Sequence, residues 1–170
     1  MTEYRMNISA PNIVNVCIDQ ITETEKQGRM YDCYSREPFR FQNELQLMRK
    51  MEELMDWLDY PQSSMKTRSY QKAEREKQAD QPEKVWSCEE MLQERGVRGT
   101  MVIHVQYRQN ATWQGKLLCV ETGETQEFFS MLELLKIIDN EFLSQLEAQP
   151  PLAFRRSRSQ IIHSSSVSGV

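Results

Sequence analysis

Apolar side chains recur along this chain at two spacings. From Ile13 they alternate, with Val14, Val16 and Ile18 on one side of the backbone and Asn15, Cys17 and Asp19 on the other. That is the period of a half-buried strand. The polar stretch 20–27 reads as a loop, and Arg29 to Tyr34 as a second strand rich in aromatic residues. Ser35-Arg-Glu-Pro38 breaks it, and Phe39 to Phe41 make a short third strand with Pro38 at its start. The period then lengthens. Leu47, Met48, Met51, Leu54, Met55 and Leu58 stand three and four residues apart, one face of a helix over 44–58. Asn43 is its N-cap, Gln46 completes a capping box, and Pro61 closes it. Its methionines suit an adaptable partner groove or an irregular core, and core filling is the simpler account.

The same order is then written again. Ser87-Cys-Glu-Glu90 is a capping box for a short helix over 89–95 that Gly96 ends. Met101, Ile103, Val105 and Tyr107 alternate with Val102, His104, Gln106 and Arg108. A return strand covers 116–121, Thr122-Gly-Glu forms a hairpin turn with Gly123 at positive φ, and 126–128 is a short third strand. Ser130 and Glu133 cap a second helix, with Phe129 and Leu134 as a hydrophobic staple. It continues through Leu135, Ile138, Phe142 and Leu146 to Pro150, and Met131, Leu132 and Ile137 widen its apolar arc. Such an arc calls for cover on more than one side, from the other copy or from a second chain.

Setting Gly28 on Gly115, an offset of 87 residues, brings Phe41 onto Phe128, Leu45 onto Leu132, Arg49 onto Lys136 and Glu52 onto Asp139 without a gap. Agreement of this kind across helix and strand is the mark of an internal repeat. The fold expected is therefore α+β. Two β-β-β-α repeats, 12–60 and (with the short helix) 87–148, are related by a pseudo-two-fold, their antiparallel sheets covered by two amphipathic helices. Each alone has a small core, so the two should pack together. Residues 61–86 read as a charged linker, and 149–170 as a disordered basic and serine-rich tail.

Composition narrows the function classes. The net charge of −4 gives no global attraction to nucleic acid or anionic membrane. No apolar run approaches a membrane span, and the first residues lack the basic and apolar segments of a secretory signal, so a cytoplasmic protein is expected. Cys17, Cys33, Cys88 and Cys119 are widely spaced and accompanied by only two histidines, His104 and His163. This spacing favours buried reduced thiols over a metal site. Scattered single glycines make no phosphate-binding loop, and no nucleophile, base and orienting group assemble, so no catalytic residue and no cofactor is assigned.

The residues most in need of explanation are Arg108, Gln109, Asn110, Trp113 and Gln114, dense in hydrogen-bonding groups within a hairpin connection. They form either a recognition surface anchored by an exposed Trp113, or a structural turn in which Asn110 bonds its own backbone and Trp113 covers a core edge. The first reading makes the chain a non-enzymatic interaction or regulatory module, for a protein partner or for a second copy as a homodimer. The alternative is nucleic-acid binding through Lys66, Arg68, Lys72 and Arg75 around Tyr70 together with the tail arginines. The acidic residues Glu74, Glu76 and Asp80 that follow weaken it.

The phrases Arg98 to Gly115, Met131 to Asp139 and Gly28 to Arg68, with Glu37-Pro-Phe-Arg-Phe41 inside the last, resemble a family of small bacterial proteins of the Firmicutes. The resemblance implies a bacterial, cytoplasmic origin and carries over no site and no cofactor.

Overall fold

The computed structural model describes residues 6–63, 82–110 and 112–147. Three strands, β1 (Val14–Ile21), β2 (Lys26–Asp32) and β3 (Ser35–Phe41), lead into helix α1 (Glu44–Leu58). A one-turn helix α2 (Cys88–Met91) precedes β4 (Gly99–Gln109), β5 (Thr112–Cys119), β6 (Thr125–Phe128) and helix α3 (Met131–Glu147). The six strands form one sheet in the order β3-β2-β1-β4-β5-β6, and all neighbours are antiparallel. The chain is thus α+β, with β1 and β4 joined at the centre through the pairs Val14–Ile103 to Ile18–Gly99.

Local chemistry accounts for the elements. Asn43 accepts from the Gln46 backbone N–H at 3.0 Å and starts α1, while Asp59 ends it in the left-handed region at φ 47°. Ser130 accepts from the Glu133 N–H at 3.1 Å and starts α3. In both helices the third residue after the cap reaches one residue further back than a capping box requires. Gln46 accepts from the Gln42 N–H at 2.9 Å, and Glu133 from the Phe129 N–H at 2.8 Å. Phe129, the outer member of the expected staple, is 61% exposed, and Leu134 is buried.

Positions 87 residues apart pair alike. Gly28 lies opposite Ile18 and Phe41; Gly115 lies opposite Val105 and Phe128. A Cβ at Gly28 would stand 2.0 Å from the Cys17 carbonyl oxygen, and one at Gly115 2.1 Å from that of His104, so close strand approach demands glycine at both. The ladder slips once in each hairpin, between Ile18 and Gln20 and between Val105 and Tyr107.

That slip corrects the expected alternation in β4. A bulge shifts the parity of every residue beyond it. Tyr107, expected beside Val105, is 55% exposed, and Arg108 takes the buried face instead, opposite Trp113. The return strand also begins earlier than residue 116, because Asn110 at φ 54° turns the chain tightly enough for pairing to resume at Thr112. Strand β3 begins at Ser35, so Pro38 lies inside it rather than at its start, which an edge strand tolerates.

The core has two layers. One sheet face, carrying Val16, Met30, Ile103 and Leu117, packs against Leu47, Met51 and Met55 of α1 and Leu134, Ile138 and Phe142 of α3. The other packs Ile13, Cys17, Tyr31 and Val102 against Cys88 and Met91 of α2. Asn15 anchors that second layer by donating to the carbonyls of Met91 at 2.9 Å and Glu94 at 3.1 Å. Strand β1 is consequently buried on both faces, where alternation indicated one. The second layer also claims the end of the expected linker, since the Val85 N–H donates to the Cys33 carbonyl at 2.9 Å and Trp86 Nε1 to that of Asp32 at 2.7 Å. The rest of that linker and the tail lie outside the described residues.

Candidate functional site

Of the five residues singled out by sequence, the structure turns two inward and leaves two outside. Arg108 and Trp113 are 5% and 3% exposed, Gln109 and Asn110 are exposed, and Gln114 is half-buried. Trp113 therefore covers a core edge, as the structural reading of this stretch has it, and is not the exposed anchor of the recognition reading. The bulge at Gln106 aims Arg108 and Trp113 at α1, where apolar packing and two carboxylates receive them.

Glu52 of α1 is the common partner. Its Oε2 accepts from Trp113 Nε1 at 2.7 Å and its Oε1 from Arg108 Nη1 at 3.2 Å. Arg108 also donates to Asp56 Oδ1 at 2.6 Å, to the Pro61 carbonyl at 2.8 Å and to the Met55 carbonyl at 3.3 Å. The guanidinium thereby holds the last turn of α1 and the chain leaving it. Asp56 and Glu52 are 65% and 45% exposed, so the pairing is desolvated mainly on the arginine side.

Above this network an open groove of about 450 Å³ runs between α1 and the start of α3. It is lined by Leu45, Met48, Arg49 and Glu52 of α1, by Met131 of α3, and by Trp113, Arg108 and Ser63. Leu45 at its rim is 61% exposed. The volume is in the range of sites that accept one or two side chains or a small ligand, and its lining is mostly apolar with a few fixed polar groups. Sequence reasoning missed Glu52 and the groove. The alignment of Glu52 with Asp139 was the available signal, because both turn out to receive a donor from a hairpin of the other half.

The remaining titratable groups of the core are buried. Burial pushes the Cys17 thiol up to about 12, and burial with the neighbouring Cys88 does the same to Cys33. Cys119 is raised by burial and by the Glu141 carboxylate 2.9 Å away. His104 lies on the sheet face away from α1, its pKa lowered by burial and by Lys116, with neither ring nitrogen hydrogen-bonded. No cluster of three or more metal-ligating side chains occurs among the described residues, and no helix there is long and apolar enough to cross a membrane. Comparison of the chain with protein-family models, curated proteins and solved structures found no match.

Proposed function

We propose that this chain is a non-enzymatic protein-interaction module built from two diverged β-β-β-α repeats, and that its binding element is the groove over Trp113. The groove carries the reading. Its lining is mostly apolar, with an exposed leucine, and includes Arg108 and Glu52, whose side chains are already held by their own hydrogen bonds. A pre-formed cleft of this kind accepts an apolar anchor side chain with little ordering cost to the module. The repeat is supported by the shared register, the shared bulge and the shared glycine contacts 87 residues apart. A bacterial and cytoplasmic setting belongs to the same proposal.

The nucleic-acid alternative has less support. Lys66, Arg68, Lys72, Arg75 and the tail arginines lie outside the described residues. Within them Lys26, Arg29 and Arg108 are turned onto carboxylates.

Selection of a displayed peptide library against the wild type and against Leu45→Glu tests the proposal. Peptides sharing one apolar anchor, enriched on the wild type and lost on the variant, are expected. Equal recovery on both proteins, with the variant folded by circular dichroism, rejects it. Retained fragments of nucleic acid whose binding falls steeply with salt would favour the alternative.

A further inference from the structure

We infer that Cys33 and Cys88 form a peroxide-reactive dithiol pair, Cys88 being oxidised first and Cys33 resolving it to a disulfide. The two sulfurs stand 2.8 Å apart although the residues are 55 apart in sequence. A disulfide needs about 2.05 Å between sulfurs, so closure asks for a small side-chain movement. A metal bridge would instead require the sulfurs to part.

Backbone contacts independent of sulfur hold the pair in place. Cys33 lies in the turn after β2, and its carbonyl accepts from the Val85 N–H. Trp86 ties to the Asp32 carbonyl, and the Ser87–Glu90 capping box fixes the turn that carries Cys88. The two sulfurs differ in surroundings. Cys88 is 7% exposed, and Lys84 Nζ donates to its sulfur at 3.3 Å. Cys33 is fully buried and lies behind Cys88, so an oxidant from solvent meets Cys88 first.

The chemistry balances with hydrogen peroxide as oxidant. The Cys88 sulfur attacks one peroxide oxygen, the O–O bond breaks, and Cys88 sulfenic acid and one water result. The Cys33 sulfur then attacks the Cys88 sulfur, the S–OH bond breaks, and its hydroxyl leaves with the Cys33 proton as a second water. Two thiols are oxidised by two electrons and one peroxide is reduced to two waters. Cys17 and Cys119 have no such partner sulfur in the structure's hydrogen-bonded contacts, and they serve as internal controls.

The test treats the full chain with a slight excess of hydrogen peroxide under native conditions and maps the products by mass spectrometry without reduction. The expected result is loss of two of the four thiols, a single Cys33–Cys88 linked peptide, and recovery of both thiols with dithiothreitol. In Cys33→Ser, dimedone should label Cys88 instead. Four intact thiols, a link involving Cys17 or Cys119, or a link seen only after unfolding in urea would overturn the inference. Dimedone labelling of Cys33 in Cys88→Ser at the rate seen for Cys88 would overturn the order of attack.

Discussion

The two hairpins that flank the centre of the sheet place different residues on one framework. At the mouth of the first, Ile21 pairs with Lys26; at the mouth of the second, Arg108 pairs with Trp113. Each pair holds one apolar residue and one cation, but the cation has changed strands. Each also reaches the helix of the other half. Lys26 donates to Asp139 of α3 as well as to Glu44, and Arg108 and Trp113 both donate to Glu52 of α1. The halves are cross-tied, so neither is an independent unit. The difference lies in what covers the mouth. Lys26 meets Glu44 in an ion pair; 87 residues on from Glu44 stands Met131, which lines the groove at Trp113.

The strongest way to break the comparison is Trp113→Ala. The indole is buried in the main core and supplies a hydrogen bond, so its loss should destabilise the fold by about 3–5 kcal/mol. Thermal melting beside the wild type measures it. A change below about 1 kcal/mol would mean that the second mouth is a surface feature after all.

Lys26→Met removes the cation of the first mouth and keeps most of its stem. Glu44 is left largely buried without its partner while Asp139, more than half exposed, rehydrates, so a loss of about 1–2 kcal/mol is expected. Its pH dependence is a sharper signature. Burial opposes the charge on Lys26, but hydrogen bonds to Asp139 and Glu44 outweigh it and raise its pKa. A raised folded-state pKa gives stability that is complete below the unfolded value, near 10.4, and is lost as pH rises through the folded one. The gap in melting temperature between wild type and Lys26→Met should hold from pH 7 to about 10 and narrow above that. A gap that narrows toward acid within this range contradicts the assignment.

Cys17 and His104 are the matching residues at the centre of the two hairpins. The His104 pKa is lowered by burial and by Lys116, so its neutral form is favoured on folding. Stability from this residue is present above about pH 6.5 and declines as pH falls through that value toward the folded-state pKa. Replacing His104 by cysteine, the residue of the other half, should flatten the stability curve between about pH 6.5 and 5. Urea unfolding at several pH values decides it, and unchanged curvature would show that another group is responsible.

The smallest effect belongs to Leu45→Glu. Leu45 is a groove-rim residue with most of its surface in solvent, and its replacement should change stability by no more than about 0.5 kcal/mol. A larger loss would show that the rim carries packing and would remove this variant as a probe of binding.

Much of this was legible in the residues. The helix over 44–58 was bounded correctly because Asn43 and Pro61 flank a full apolar stripe, and Gly123 does adopt φ 73°. The 87-residue register placed Glu52 on Asp139 before their roles were visible. The bulges were not legible, since a slip belongs to a pair of strands and leaves no mark in either alone. That one slip decided the fate of Arg108 and Trp113, whose polar neighbours pointed to an exposed loop. The layer behind the sheet was hidden for a similar reason. Lys84 to Trp86 look like linker by composition, but the carbonyls of Asp32 and Cys33 bind Trp86 and Val85 back.

One consequence follows from the sheet's two margins. Each is the third strand of its hairpin run, β3 on one side and β6 on the other. The first carries Arg36, Glu37 and Pro38, which lacks a donor for a further strand; the second is four residues long. Unguarded margins invite endless growth by strand addition, and charged, proline-bearing or very short ones resist it. Among the described residues both margins of the sheet thus resist added strands, which leaves its faces as the surfaces better suited to a visitor.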